Sequence, residues 1–375
     1  DLTFKLQVIT TVSAILNLYW DLVSFDDDLR IKRQALETAQ RFLEDNQRQV
    51  QLGTLPAIEV TRTQAEVSAA KEDLLIAQTN VAQQEAVLKN ALSRTGSVNS
   101  WLDDVHIVPL DSIAIPAKED LKPLPQLLDE ALADRPELDQ ARINLESTKI
   151  LMTGTRNNLL PALQAFAEVT NNGLSGAPNA LCGNLPPAEQ PLCVPSPALV
   201  GGYGGMLGQI FRRNYPNYSA GISLNIPFRN RVAQGDYVAD VLQERQGELQ
   251  LQKTINQVRV DVKVATIGLE QARTRYQTAS ETRTLQQQTL DAERLRFKFG
   301  QSSISNVVQA ERDLATDQSA EVQSMANYTH AKIAFEQAIG QTMAANRISI
   351  DEARAGHVAR KSMLPENPPA PVVTK

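Results

Sequence analysis

Apolar residues recur at spacings of three and four through most of this chain. Leu6, Ile9, Val12, Leu16, Tyr19 and Val23 open the pattern, which is the period of a helix with one buried face. The period holds to Gly53, so residues 1–52 read as one long helix. Residues 58–95 read as a second, bounded by Pro56 and Gly96. A proline fits the first turn of a helix, where its missing N–H costs nothing. Two helices joined by so short a turn make an antiparallel hairpin. Residues 97–124 break the period with β-branched runs and prolines, and predict a small irregular or strand-bearing segment. A third helix is predicted from about Pro125 to Leu160.

The period then changes to two. Leu163, Ala165, Ala167 and Val169 share one face of a short run. In a later run Tyr218, Ala220, Ile222, Leu224, Ile226 and Phe228 share one face, while Ser219, Gly221, Ser223 and Asn225 share the other. These runs, 162–170 and 217–228, read as strands. About 10 residues suffice for a tilted strand to cross a bilayer, and apolar-out, polar-in alternation is the unit of a transmembrane barrel. The chain offers no other strands for a globular sheet, so the face from Tyr218 to Phe228 is expected to meet lipid. The aromatic residues at its two ends suit the membrane interface. Between the runs, residues 173–215 hold 8 of the 18 glycines, interleaved with prolines, and predict a long loop.

After Asn230 the helical period returns. Residues 234–299 contain no proline and would span roughly 100 Å as a single helix. A helix of that length must lie beside similar ones. Gly300 ends it, and Ile304–Gly340 forms a return helix. The closing stretch SMLPENPPAPVVTK is proline-rich and aperiodic, which predicts a mobile tail.

Placing Gly53 on Gly300, an offset of 247, aligns the two hairpins without gaps. Leu43/Leu290, Val60/Val307, Asn80/Asn327, Ala91/Ala338 and Thr95/Thr342 are then identical pairs. A gapless register with a shared turn glycine indicates duplication. The second copy is preceded by helix, strand, loop and strand. The first is not, and the chain opens without Met and already in helical register. It therefore reads as starting inside a longer protein. The expected division is 1–96 (first hairpin), 97–124 (equatorial linker), 125–160 (helix), 161–229 (strand pair with its loop), 230–342 (second hairpin) and 343–375 (equatorial segment and tail).

Composition narrows the function. The balance of 37 Lys+Arg against 43 Asp+Glu speaks against a basic nucleic-acid surface. No unbroken run of about 18 apolar residues exists, which speaks against a helical membrane protein. The low aromatic content, 5%, fits thin helical packing better than several globular cores. Cys182 and Cys193 lie 11 apart in a turn-rich segment and lack metal-ligand spacing. They read as a disulfide closing a short loop, which implies an oxidising compartment; the alternative is two unpaired loop cysteines. His106, His330 and His357 are scattered. Neither a phosphate-binding loop nor a catalytic constellation is present, so no enzyme activity, metal or cofactor is expected.

Two motifs carry a resemblance. Arg135-Pro136-Glu137-Leu138, then Ala141-Arg142, then Leu160-Pro161-Ala162-Leu163 resembles the RPEL…AR…LPxL signature of the outer membrane efflux protein family, the TolC-like channels. Arg296 to Gly300, followed by Ser303 to Ala310, resembles that family's R-Y-x-x-G…S-x-x-D-V-L-x-A turn, and Leu52-Gly53 with Pro56 to Val60 resembles the same turn in copy one. The TVSAILNLYWDLV stretch resembles the helix returning from a first strand pair. Two departures stand out. The usual turn Asp is Glu59 in one copy and Asn306 in the other, and the loop at 173–215 is longer than family members usually carry.

The resemblance implies a mainly α fold with a small β part, an α-barrel of helical hairpins below a transmembrane β-barrel. It implies a homotrimer in which each subunit gives four strands to a twelve-stranded barrel. One strand pair alone has open edges, which lipid does not tolerate, and oligomerisation removes them. The implied function is an outer-membrane exit duct for drugs, metals or small secreted molecules. It would be energised by an inner-membrane pump through a periplasmic adaptor. The adaptor would meet Leu52, Gly53, Thr54 and Leu55 at one turn and Phe299, Gly300, Gln301, Ser302 and Ser303 at the other. Glu59, Glu311, Arg312 and Asp313 are candidates for ion pairs between hairpins that hold the tip closed. Two other readings compete. A periplasmic adaptor also has a helical hairpin, but the second hairpin and the strand at 218–228 speak against it. A cytoplasmic coiled-coil scaffold is opposed by the cysteine loop and the lipid-like strand face.

Overall fold

The computed structural model describes residues 1–93, 105–180, 186 and 195–357. The chain divides into two units, one of Asp1–Leu145 with Gly247–Lys375 and one of Glu146–Gln246. The helices are α1 (Leu2–Gln51), α2 (Ala57–Leu92), α3 (Leu124–Asp134), α4 (Pro136–Asn157), α5 (Tyr203–Phe211), α6 (Arg231–Lys298), α7 (Ile304–Ala338), α8 (Thr342–Ala345) and α9 (Ile350–Ala355). The strands are β1 (Ala162–Asn172) and β2 (Tyr215–Asn225).

In the first unit, α1 packs against both α2 and α7. Leu22 of α1 is buried with Val81 and Leu88 of α2. The largest apolar cluster gathers Leu127 and Ala131 of α3, Leu138 of α4, Val258 and Val262 of α6, and Tyr328 and Phe335 of α7. The RPEL motif is thus a corner of the core. Leu138 is fully buried. The Arg135 guanidinium donates to Asp261 at 2.9 Å and to Glu137 at 3.1 Å; these two carboxylates hold its pKa up against the opposing effect of burial. A Cβ on Gly340 would come within 3.1–3.3 Å of the Asp134 side chain and the Asp134–Arg135 backbone, so a residue with φ +78° and no side chain closes α7 against that corner.

This corner corrects the single helix expected over 125–160. Arg135 takes an extended conformation, ψ 118°, because the ring of Pro136 excludes the α region for the residue before it. Pro136 then starts α4, where it gives up no hydrogen bond.

α1, packed on α2 and α7, is more apolar than a search for unbroken runs shows. It holds an 18-residue window of mean hydropathy 1.4, enough to cross a membrane by length and composition. Scattered Thr, Ser and Asn residues hide it from a search for an unbroken run. Among its buried residues are Ile9, Leu22 and Val23.

In the second unit, β1 and β2 pair antiparallel. Leu163 faces Leu224, Ala165 faces Ile222, Ala167 faces Ala220 and Val169 faces Tyr218, so the two apolar faces fall on one side. Gln164, Glu168 and Thr170 share the opposite side with Phe166. A Cβ on Gly221 would meet the Phe166 ring at 2.7 Å, so the ring occupies the space the glycine leaves open. Nearly every strand residue is exposed, and a lone hairpin is marginally stable in water. β1 begins at the expected residue, while its end and both ends of β2 differ from expectation. β1 runs two residues further and β2 starts two residues earlier. β2 stops at Asn225, since Pro227 has no N–H for a ladder. Ile226 and Phe228 therefore lie beyond the strand that was to carry them. Near the strand entries, Thr155 donates to Asp240 at 2.7 Å and Asn230 donates to the Asn158 carbonyl at 3.0 Å.

The expected loop at 173–215 contains α5. Three glycines in nine residues cost the helix about 1 kcal/mol each relative to alanine, which masks it in the sequence. Buried Gln209 compensates: it accepts from Leu174 N–H at 2.9 Å and donates to the Ala198 carbonyl at 2.6 Å. Cys182 and Cys193 lie outside the described residues, as do the tail from 358 onward and 94–104 of the linker.

Candidate functional site

The two hairpin turns are built alike, hydrogen bond for hydrogen bond. At the end of α1, Gly53 N–H donates to the Val50 carbonyl at 3.0 Å and Thr54 N–H to the Gln49 carbonyl at 3.0 Å. At the end of α6, Gly300 N–H donates to Phe297 at 2.9 Å and Gln301 N–H to Arg296 at 2.8 Å. All four residues in the second turn sit 247 after those in the first. This is the Schellman closure, which needs a left-handed residue just past the helix. Gly53 and Gly300 supply it with φ of +73° and +71°. In the next turn Glu59 N–H donates to Pro56, and Asn306 N–H to Ser303, again 247 apart.

The residues before the glycines are also equivalent. Leu52 is 78% exposed and Phe299 70% exposed, so each turn holds a large apolar side chain in solvent. Thr54 bonds back to the Gln49 carbonyl. Leu55 is half-buried and Gln301 exposed. Ser302 donates to Glu293 at 2.6 Å, and this hydroxyl, followed by Arg296, pulls the Glu293 pKa down. Ser303 caps α7 by accepting from Asn306 N–H. The N-cap in copy one, Pro56, has no side chain to do this.

Behind the turns, a cleft of about 400 Å³ is lined by residues of α1, α2, α6 and α7. Of the four candidate gate residues, one bridges the hairpins. Arg312 of α7 binds Glu66 of α2, with Nε at 2.6 Å and the second nitrogen at 2.5 Å. Glu311 instead accepts from Arg294 of its own hairpin at 2.8 Å. Burial outweighs this partner and raises the Glu311 pKa, and the nearby Glu66 adds to the rise. Glu59 pairs with Arg62 on its own helix. Asp313 accepts from Gln309 at 2.7 Å. Glu66 and Arg294 had no sequence signal beyond helical position. Phe42 is another partner that sequence reading missed; its ring meets Phe297 edge-on at 6.1 Å, seating α1 against the cluster of Leu290, Val307 and Leu314.

Two of the three histidines sit beside carboxylates. His106 Nδ1 lies 2.6 Å from Glu85, and His330 Nε2 lies 2.9 Å from Asp21. His357 is exposed. Among the described residues, no His, Cys, Asp or Glu group is arranged to hold a metal.

The sequence profile described as outer membrane efflux protein matches residues 127–341, from the RPEL corner through the second tip. The chain belongs to the outer membrane efflux protein family. Membership places it in the outer membrane and makes it an efflux channel, which rules out the adaptor and cytoplasmic readings. The fold agrees with solved channels of low sequence identity. The chain matches CusC at 15% identity and TM-score 0.65, covering 88% of this chain and 68% of that one. It matches VceC of Vibrio cholerae at 15% and 0.64, covering 88% and 70%. It matches CmeC of Campylobacter jejuni at 14% and 0.61, covering 92% and 67%. No curated protein sequence matches it.

Proposed function

We propose that this efflux protein is the exit duct of a tripartite efflux or type I secretion assembly. It passes small molecules from periplasm to exterior as a homotrimer. Each subunit gives its strands to a common barrel, with Tyr218, Ala220, Ile222 and Leu224 toward lipid. The helices line a periplasmic conduit, and the divisions expected from sequence become its hairpins, equatorial segment and strand unit. An inner-membrane pump supplies the energy. Among the described residues neither strand face is covered, which supports assembly into a closed barrel.

The observation that carries this reading is the equivalence of the two turns. Duplicated backbone, left-handed glycine and exposed Leu52 and Phe299 give two copies of one contact. That is what a partner repeating around a ring would require. The turns from Leu52 to Leu55 and Phe299 to Ser303 are the proposed docking points for a periplasmic adaptor. The Arg312–Glu66 pair behind them is the proposed latch between hairpins. Replacing both Leu52 and Phe299 with Glu should leave trimers in the outer membrane and abolish both adaptor cross-linking and drug resistance. Full resistance in that double variant would remove the tips from the contact.

A further inference from the structure

The segment between β1 and β2 leaves the sheet at the Asn172/Tyr215 end, while α4 and α6 join it at the Ala162/Asn225 end. In an outer-membrane chain with periplasmic helices, this segment faces the exterior. α5 is fixed there in one orientation. Gln209 ties it to Leu174 and Ala198. Met206 and Ile210 press on Gly173, where a Cβ would meet the Met206 carbonyl at 2.5 Å and the Ile210 side chain at 2.9 Å.

The other side of α5 carries Tyr203, Leu207 and Phe211 at a spacing of four, one stripe along the helix. They are 80%, 42% and 82% exposed. Large apolar side chains left in water forgo the free energy that burial would give. Arg212 and Arg213 follow directly, both exposed. Neither pairs with a carboxylate among the described residues. The turn is closed by Arg213 N–H on the Ile210 carbonyl and Asn214 N–H on the Gln209 carbonyl. It puts Arg213 at φ 52°, a left-handed conformation unfavourable for a residue that bears a side chain. β2 begins two residues later, and its apolar face starts at Tyr218.

We infer that α5 lies in the outer leaflet, with the Tyr203–Leu207–Phe211 stripe among acyl chains and Arg212 and Arg213 on the phosphates of anionic lipid. Two arguments select lipid. A basic end on an apolar helix face is the composition of helices that lie in a membrane interface. The guanidinium fork matches phosphate geometry. The inference rests on the strand pair spanning the membrane with Ile222 toward lipid.

The test uses the full chain in phosphatidylcholine vesicles, with and without phosphatidylglycerol, carrying brominated acyl chains in part of the lipid. F211W adds one fluorophore at an exposed site, and I222W reports the strand. Emission of the unsubstituted chain is subtracted. The added F211W emission should be quenched by brominated lipid and shift to the blue with phosphatidylglycerol. The further change R212Q/R213Q should remove that shift. Quenching of F211W by acrylamide without quenching by brominated lipid would put the stripe in water and overturn the inference. Protection from both quenchers would put it against protein and overturn it equally. If I222W also escapes brominated lipid, the strand reading fails too, so the two failures are separable.

Discussion

Gly300 shows how single residues set the tips. Nothing lies within 4 Å of a Cβ built on it, so the demand for glycine comes from φ +71° alone. Substitutions should therefore rank by left-handed propensity rather than by size. Gly300→Asn should be close to neutral, because Asn tolerates this region. Gly300→Val should lower stability by about 1–2 kcal/mol, since strain of that order attaches to a residue forced into a sparse region. Thermal unfolding of purified protein would check the order, and equal midpoints for the two variants would contradict it. The same reasoning explains what residue identities revealed beforehand. Gly53 and Gly300 were readable because a left-handed turn leaves few choices of residue. Glu66 and Arg294 were not, because a charged residue on an exposed-looking helix face carries no mark of the partner it will find 17 or 246 positions away.

At the scale of elements, periodicity located the long helices and both strands to within a few residues, because each has one face that must be buried. It failed where local chemistry opposed the period. The α3–α4 corner came from one proline inside an otherwise helical pattern, and α5 was hidden by glycines that tertiary hydrogen bonds to Gln209 offset. Polar links between helices complete the assembly. Arg312 and Glu66 join α7 to α2, and a double-mutant cycle between Arg312→Gln and Glu66→Gln should give a coupling of about 1 kcal/mol. A coupling of zero would remove the latch. His330 and Asp21 join α7 to α1. The Asp21 hydrogen bond raises the His330 pKa against the effect of burial. The protonated pair therefore contributes in full below about pH 6.5, the ordinary histidine value, and is lost as pH rises through the raised value. Urea midpoints should fall from pH 6 to pH 8.5 by more in the parent than in His330→Gln. Identical slopes would show that the pair adds nothing.

For the whole molecule, the strand pair is exposed among the described residues, as the proposed shared barrel requires. Ile222 and Ser223 are neighbours on opposite faces of β2. Ile222→Arg should cost about 2–4 kcal/mol if it sits near the bilayer midplane, while Ser223→Arg should be far milder. Yields of folded protein in outer-membrane fractions would show the difference, and equal yields would mean that neither face meets lipid. The assembled state, unlike the hairpins, has no local signature. The expected homotrimer was implied by the family resemblance, with which the open edges of a lone strand pair agree.

The duplicated turns have a genetic consequence. Leu52 and Phe299 hold equivalent positions of the duplication yet differ, so a single base change alters one proposed docking point and leaves its twin intact. In the proposed trimer, a lesion in either copy removes three of six contacts and retains three. Complete loss of docking therefore demands two independent events in the same gene. Resistance supported by such a duct should persist through most spontaneous mutations at its tips.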